Sequence, residues 1–181
     1  DVSGSMIGLL ENIAATARQA LAEFRPGDRV AVMAFSTGSR YITDFTEDFD
    51  AVERAIGERV LGDVGLALRK HEGGTAIMAA VDDAVDHFLN THAPHRRRAV
   101  LIITDNLGIR TRREAPVLNK YWEADAVLMG IILATRSTQM KLQVRRFDPF
   151  ARLLTQGMNG IAEKTGGDVL VGSDPVEAFR E

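Results

Sequence analysis

Three short, almost uninterrupted apolar runs constrain the fold of this chain more than any other feature of its sequence. They cover residues 29–35, 99–104 and 126–134. A run of this kind, without polar alternation, is typical of a strand that is buried on both faces, as in a parallel sheet. Amphipathic segments separate the runs. Strands that alternate with helices predict an α/β fold with a Rossmann-like, doubly wound, mostly parallel sheet that carries helices on both faces.

The remaining elements follow from apolar spacing and from turn residues. Apolar residues at helical spacing predict clear helices over residues 10–24 and 77–89. The other predicted elements are weaker helices over 50–60, 113–123 and 150–164, an antiparallel edge strand over 40–45, a last strand over 168–171 and a final helix from 175.

Two finer interpretations concern residues inside these helices. Asp82, Asp83 and Asp86 lie off the apolar stripe of the helix over 77–89 and are interpreted as a solvated face. Gly157 and Gly160 predict an interruption of the helix over 150–164, because glycine is a poor helix former.

Length and composition limit the classes of function. The 181 residues suffice for one domain, residues 1–181, with 45% hydrophobic residues and a net charge of −3. This charge does not favour nucleic-acid binding. The absence of cysteine excludes disulfides, zinc-thiolate sites and a thiol nucleophile. The sequence contains neither a signal peptide nor an apolar run long enough to span a membrane, and it leaves the cellular compartment open.

Polar residues with oxygen donors occur at three places in the chain. Asp1, Ser3 and Ser5 open the sequence, Thr75 follows two glycines and precedes the helix over 77–89, and Asp105 follows the apolar run over 99–104. Oxygen ligands suit Mg²⁺, Mn²⁺ or Ca²⁺. In open α/β sheets, ligands bind beyond the carboxyl ends of the strands. Taken singly, these residues also fit a capped loop, a helix cap and an ordinary loop aspartate.

Together, these residues resemble the metal-ion-dependent adhesion site of a von Willebrand factor A domain. The resemblance covers essentially the whole chain. It implies that the Asp-x-Ser-x-Ser pattern, the threonine and the strand-end aspartate hold a divalent cation, Mg²⁺ or alternatively Mn²⁺ or Ca²⁺. It also implies a non-catalytic module for protein–protein interaction, in which a Glu or Asp carboxylate of a partner protein completes the coordination. The implied metal ligands are Asp1, Ser3, Ser5, Thr75 and Asp105.

The chain departs from the family pattern in two respects. The family has a buried central strand directly before the position of Asp1, and this sequence has none. We therefore expect a domain truncated at both ends, with an upstream strand missing and a last helix cut at Glu181. In addition, Asn106 stands where the family often has glycine, and asparagine tolerates the left-handed backbone that a glycine adopts.

Several other charged residues are candidates for contacts with a partner or for solvated loops. Arg110, Arg112 and Arg113 follow Asp105 and fit either the rim of a surface for an acidic partner or a solvated loop. His71 and Glu72, beside Thr75, are candidates for partner selectivity. The remaining basic group fits either an anion-binding patch or, preferably, a solvated connector; it comprises His92, His95, Arg96, Arg97 and Arg98.

Two alternative functions stay open at this point. One is a subunit or module that assists an ATPase or chelatase complex, which nothing in these residues separates from an adhesion-type module. The other is a metal-dependent hydrolase. Against the latter, the sequence has no Gly-x-x-x-x-Gly-Lys-Ser/Thr loop and no second aspartate at position 3.

Overall fold

The computed structural model describes residues 1–63, 75–91, 96–105, 113–133 and 156–172. The predicted final helix from residue 175 lies outside the described residues, and so do residues 134–155, which include the start of the predicted helix over 150–164.

Five strands form two sheets within the described part of the chain. β1 and β2 form an antiparallel pair, and β3, β4 and β5 form a parallel sheet in that order. This arrangement confirms the predicted α/β class and its antiparallel edge strand. The strands are β1 (Val30–Phe35), β2 (Ser39–Thr46), β3 (Arg98–Thr104), β4 (Ala126–Leu133) and β5 (Val169–Gly172).

The first two residues of the chain connect the two sheets. The backbone N–H of Val2 donates to the carbonyl of Phe35, at the end of β1, over 2.8 Å. The backbone nitrogen of Asp1 donates to the carbonyl of Ile103, near the end of β3, over 3.1 Å. Residues 1 and 2 therefore lie between the carboxyl ends of β1 and β3. Along the rest of these two strands, no described strand lies between them.

Helices cover both faces of the sheet, as predicted. Side chains of α3, α4 and α5 pack against one face in a core with Phe35, Ile102 and Leu128. The 3₁₀ helix and α1 pack against the other face, beside Ile131. The helices are a 3₁₀ helix (Gly4–Leu9), α1 (Leu10–Leu21), α2 (Phe49–Arg54), a π-helix (Ala55–Asp63), α3 (Ile77–Asn90), α4 (Glu114–Glu123) and α5 (Gln156–Thr165).

The interruption that was predicted near Gly157 and Gly160 is wrong for the described part of that helix. α5 runs without a break through Gly157 and Gly160. A Cβ at position 160 would lie 2.7 Å from Oε1 of Glu114 on α4, at the end of a flexible side chain that would have to shift.

The interpretation of three aspartates on α3 as a solvated face is also wrong for Asp82. This residue is only 3% exposed, and its carboxylate accepts a hydrogen bond from Nζ of Lys120 on α4 over 2.7 Å. Asp86 shares the same amine over 2.8 Å. Asp83 accepts a hydrogen bond from the hydroxyl of Ser39 on β2. Side chains of β2 and α4 therefore contact the flank of α3 that the apolar spacing of the helix predicts to be polar.

The two tyrosines of the chain are expected to resist ionisation while the protein is folded. Burial raises the pKa of Tyr41 to about 12, with help from nearby carboxylates, and burial also raises the pKa of Tyr121. Unfolded tyrosine ionises near pH ~10. Because the folded pKa values are higher, the associated stability is complete below pH ~10 and falls as pH rises through the folded values.

An absorbance titration at 295 nm, followed together with far-UV circular dichroism, checks this expectation. Tyrosinate should appear well above pH ~10, at about pH 12 for Tyr41 if the protein is still folded there, or earlier only as the protein unfolds. A tyrosine that ionises near pH ~10 while the dichroism signal stays native would contradict the described burial.

Candidate metal centre

The carboxylate of Asp1 is held by two hydrogen bonds from different parts of the chain. The backbone N–H of Ser3 donates to Oδ1 over 2.9 Å. The hydroxyl of Thr104, the last residue of β3, donates to Oδ2 over 2.7 Å. The orientation of the carboxylate is therefore defined by both its own loop and a strand end.

The hydroxyls of the two serines in the first loop lie close to each other. Their Oγ atoms lie 3.3 Å apart, and Ser5 is exposed while Ser3 is partly exposed. Val2 and Met6, on either side of these residues, are buried in the core and anchor the loop. Ser3 occupies the N-cap position of the 3₁₀ helix, but its side chain makes no cap hydrogen bond. A capping role therefore does not account for its hydroxyl.

Thr75 lies at the carboxyl end of β1. The backbone N–H of Ala76 donates to the carbonyl of Ser36 over 2.7 Å, and Ser36 directly follows β1. The N-cap position of α3 is Ala76, so that Thr75 precedes the cap and does not form it. The position of Ser36 directly after the apolar run over 29–35 is the sequence signal for this strand-end position.

Asp105 directly follows β3 and is 1% exposed. It follows Thr104, whose hydroxyl donates to the Asp1 carboxylate, so that both aspartates lie at the carboxyl end of β3.

All five residues with predicted ligand roles come to the same edge of the fold, and their chemistry fits a hard divalent cation. Two carboxylates and three hydroxyls form an oxygen-only set, which suits Mg²⁺ and Mn²⁺, and Ca²⁺ with more ligands. Within the described ranges, no group of three or more His, Cys, Asp or Glu side chains could hold a metal ion. A cation at this edge would therefore depend on hydroxyls as well as on the two carboxylates.

The other charged candidates are only partly described. Arg113 precedes α4 and is exposed, whereas Arg110, Arg112, His71, Glu72, His92 and His95 lie outside the described residues. The guanidinium of Arg96 donates to the carbonyl of Gly27, and that of Arg98 donates to the carbonyl of Ala124 over 2.8 Å. Both arginines donate to backbone carbonyls just before the amino ends of strands. These contacts support the interpretation of this basic segment as a connector and not as an anion-binding patch.

Fold and site together define a Rossmann-like α/β domain with oxygen donors gathered at the carboxyl ends of its strands. The sequence matches the family profile of the von Willebrand factor type A domain over residues 1–108. The chain therefore belongs to the von Willebrand factor type A family. No match was found among curated protein sequences.

Solved structures of bacterial proteins share this fold. An aerotolerance-related membrane protein from Bacteroides fragilis is 16% identical, with a TM-score of 0.63 over 94% of this chain and 84% of its own. BatB from Bacteroides thetaiotaomicron is 16% identical, with a TM-score of 0.59 over 94% and 83%. A von Willebrand factor type A protein from Catenulispora acidiphila is 22% identical, with a TM-score of 0.62 over 99% of this chain but only 39% of its own. At these identities the likeness concerns the fold alone.

The helices of the described part of the chain are too short or too polar to cross a membrane.

Proposed function

We propose that this chain is a non-catalytic protein-binding module whose binding depends on a divalent cation, Mg²⁺ or alternatively Mn²⁺ or Ca²⁺. The observation that carries the proposal is the meeting of three separate loops at the ends of β1 and β3, with the Asp1 carboxylate oriented by two hydrogen bonds. The residues that would hold the cation are Asp1, Ser3, Ser5, Thr75 and Asp105.

The donor set determines how such a site would act. Asp1 and Asp105 bring two negative charges, which formally balance a divalent cation, and the three hydroxyls are neutral. When bound, the cation would accept a carboxylate oxygen from a Glu or Asp side chain of the partner protein. The exposed hydroxyl of Ser5 marks the side of the site that a partner can reach, whereas Asp105 closes the buried side.

Titration of Mg²⁺ and Mn²⁺ by calorimetry, with melting temperatures measured in parallel, tests the proposal. Asp105→Ala is expected to weaken binding by more than the roughly 10–100-fold that loss of an outer-shell partner costs. Free cation at a hundred times its dissociation constant should stabilise the wild type by about 2.7 kcal/mol, and it should not stabilise the variant.

Asp50→Ala serves as the matched control, because Asp50 is an exposed aspartate in the first turn of α2. It should bind the cation like the wild type. A folded wild-type chain that binds none of Mg²⁺, Mn²⁺ and Ca²⁺ would refute the proposed site. Metal-dependent hydrolysis of a generic phosphoester that disappears in Asp1→Ala would instead show an enzyme.

A further inference from the structure

Thr104 reaches from the parallel sheet into the first loop. It is the last residue of β3, its side chain is fully buried, and its Oγ1 lies 2.7 Å from Oδ2 of Asp1, 103 positions away in the sequence. None of the ligand roles considered above uses this hydroxyl.

The chemistry of the contact defines which atom does what. A threonine hydroxyl has one proton, and here it is donated to the Asp1 carboxylate. Hydrogen bonds to an ionised acceptor are about twice as strong as neutral ones. Burial keeps competing water away, and the branched side chain restricts rotation about χ1. The hydroxyl of Thr104 therefore holds Oδ2 of Asp1 in place, and the backbone N–H of Ser3 holds Oδ1 of the same carboxylate.

Two successive residues at the end of β3 hold Asp1, and Asp105 follows them directly. The carbonyl of Ile103 accepts a hydrogen bond from the backbone nitrogen of Asp1, and the hydroxyl of Thr104 donates to its carboxylate. The spacing between the two carboxylates of the candidate site therefore depends on the short segment that Thr104 occupies.

We infer that Thr104 is a positioning residue of the cation site: it orients the Asp1 carboxylate and couples the first loop to Asp105. The inference rests on the proposed function, since it concerns the same cation. Outer-shell hydrogen bonds of this kind hold ligands in place for many protein-bound metals.

Thr104→Val tests the inference, because valine keeps the shape of the side chain and removes the hydroxyl. The variant is expected to bind Mg²⁺ about 10-fold or more weakly by calorimetry. The Mg²⁺-induced rise in melting temperature should shrink accordingly. Thr104→Ser retains the hydroxyl and should restore binding to near the wild-type affinity.

Thr16→Val is the matched control. Thr16 is equally buried, and its hydroxyl donates to the carbonyl of Asn12 within α1 over 2.8 Å. The same substitution there should lower the stability of the metal-free protein without changing the affinity for Mg²⁺. The pair separates a general loss of stability from a specific effect on the site.

Each result has a definite meaning. Wild-type affinity in Thr104→Val overturns the inference while leaving the metal site intact. Equal weakening in Thr104→Ser also overturns it, since the hydroxyl would then not be the active group. A wild type that binds no Mg²⁺ refutes the proposed function, and the inference with it.

Discussion

Gly167→Ala is expected to destabilise the domain by about 3 kcal/mol or more, at the upper end of what overpacking costs. A Cβ at this position would lie 1.9 Å from the carbonyl oxygen of Leu128 and 2.8 Å from its carbonyl carbon. Both atoms belong to the backbone of β4, so that no side-chain rotation relieves the overlap. Either the chain that follows α5 or the central strand of the parallel sheet must move.

The adjacent glycine provides the matched control. Gly166 ends α5 with φ of +82°, and its N–H and that of Gly167 donate to Glu163 and Ala162 in the usual pattern of a helix C-terminus. A Cβ at Gly166 would meet nothing within 4 Å. Gly166→Ala should therefore lower the free energy of unfolding by only about 1–2 kcal/mol, which is the cost of a left-handed backbone at a residue with a Cβ.

Urea unfolding of both variants gives the comparison directly. If Gly167→Ala is no less stable than Gly166→Ala, the close approach between Gly167 and β4 is not present in solution.

The elements of this fold are largely predictable because their patterns are local. The apolar spacing of α3 and the unbroken apolar run of β4 depend only on residues within each element, and the structure confirms both. The order of the elements then places Asp105 at a strand end, where the structure has it.

The residues that support the candidate site are harder to predict, because their partners are distant in the sequence. The hydroxyl of Thr104 donates a hydrogen bond to a carboxylate 103 positions away, and the carbonyl of Ser36 accepts one from the N–H of Ala76. Neither contact produces a periodic pattern in the sequence. Only the position of each residue at the end of an apolar run hinted at a role, and the metal-binding role of the five proposed ligands stays a prediction.

The burial of Asp82 shows the same limit inside a well-predicted helix. Periodicity places Asp82 off the apolar stripe of α3, but it contains no information on which element packs against that flank. Lys120 of α4, 38 positions later, pairs with the buried carboxylate of Asp82.

Lys120→Met is expected to destabilise the domain by about 3 kcal/mol, at the lower end of what breaking a buried ion pair costs. The side chain of Asp82 is 4% exposed, and the variant would leave its carboxylate buried without the amine. The lower end applies because Lys120 is 32% exposed and solvent screens part of the interaction. Although burial acts to lower it, hydrogen bonds to Asp82 and Asp86 raise the pKa of Lys120, consistent with a charged amine that both carboxylates stabilise.

Lys164→Met is the matched control, because Lys164 makes an ion pair of the same 2.7 Å length with Glu114 at a more exposed position. Its loss should cost less than about 1 kcal/mol. The double variant Lys120→Met with Asp82→Leu should be more stable than Lys120→Met alone, because it removes the buried charge together with its partner. Urea unfolding of the wild type and the three variants gives the free energies of unfolding to compare. If Lys120→Met lowers the free energy of unfolding no more than Lys164→Met does, the Asp82 carboxylate is solvated in solution. The prediction of a solvated helix face would then hold for Asp82 as well.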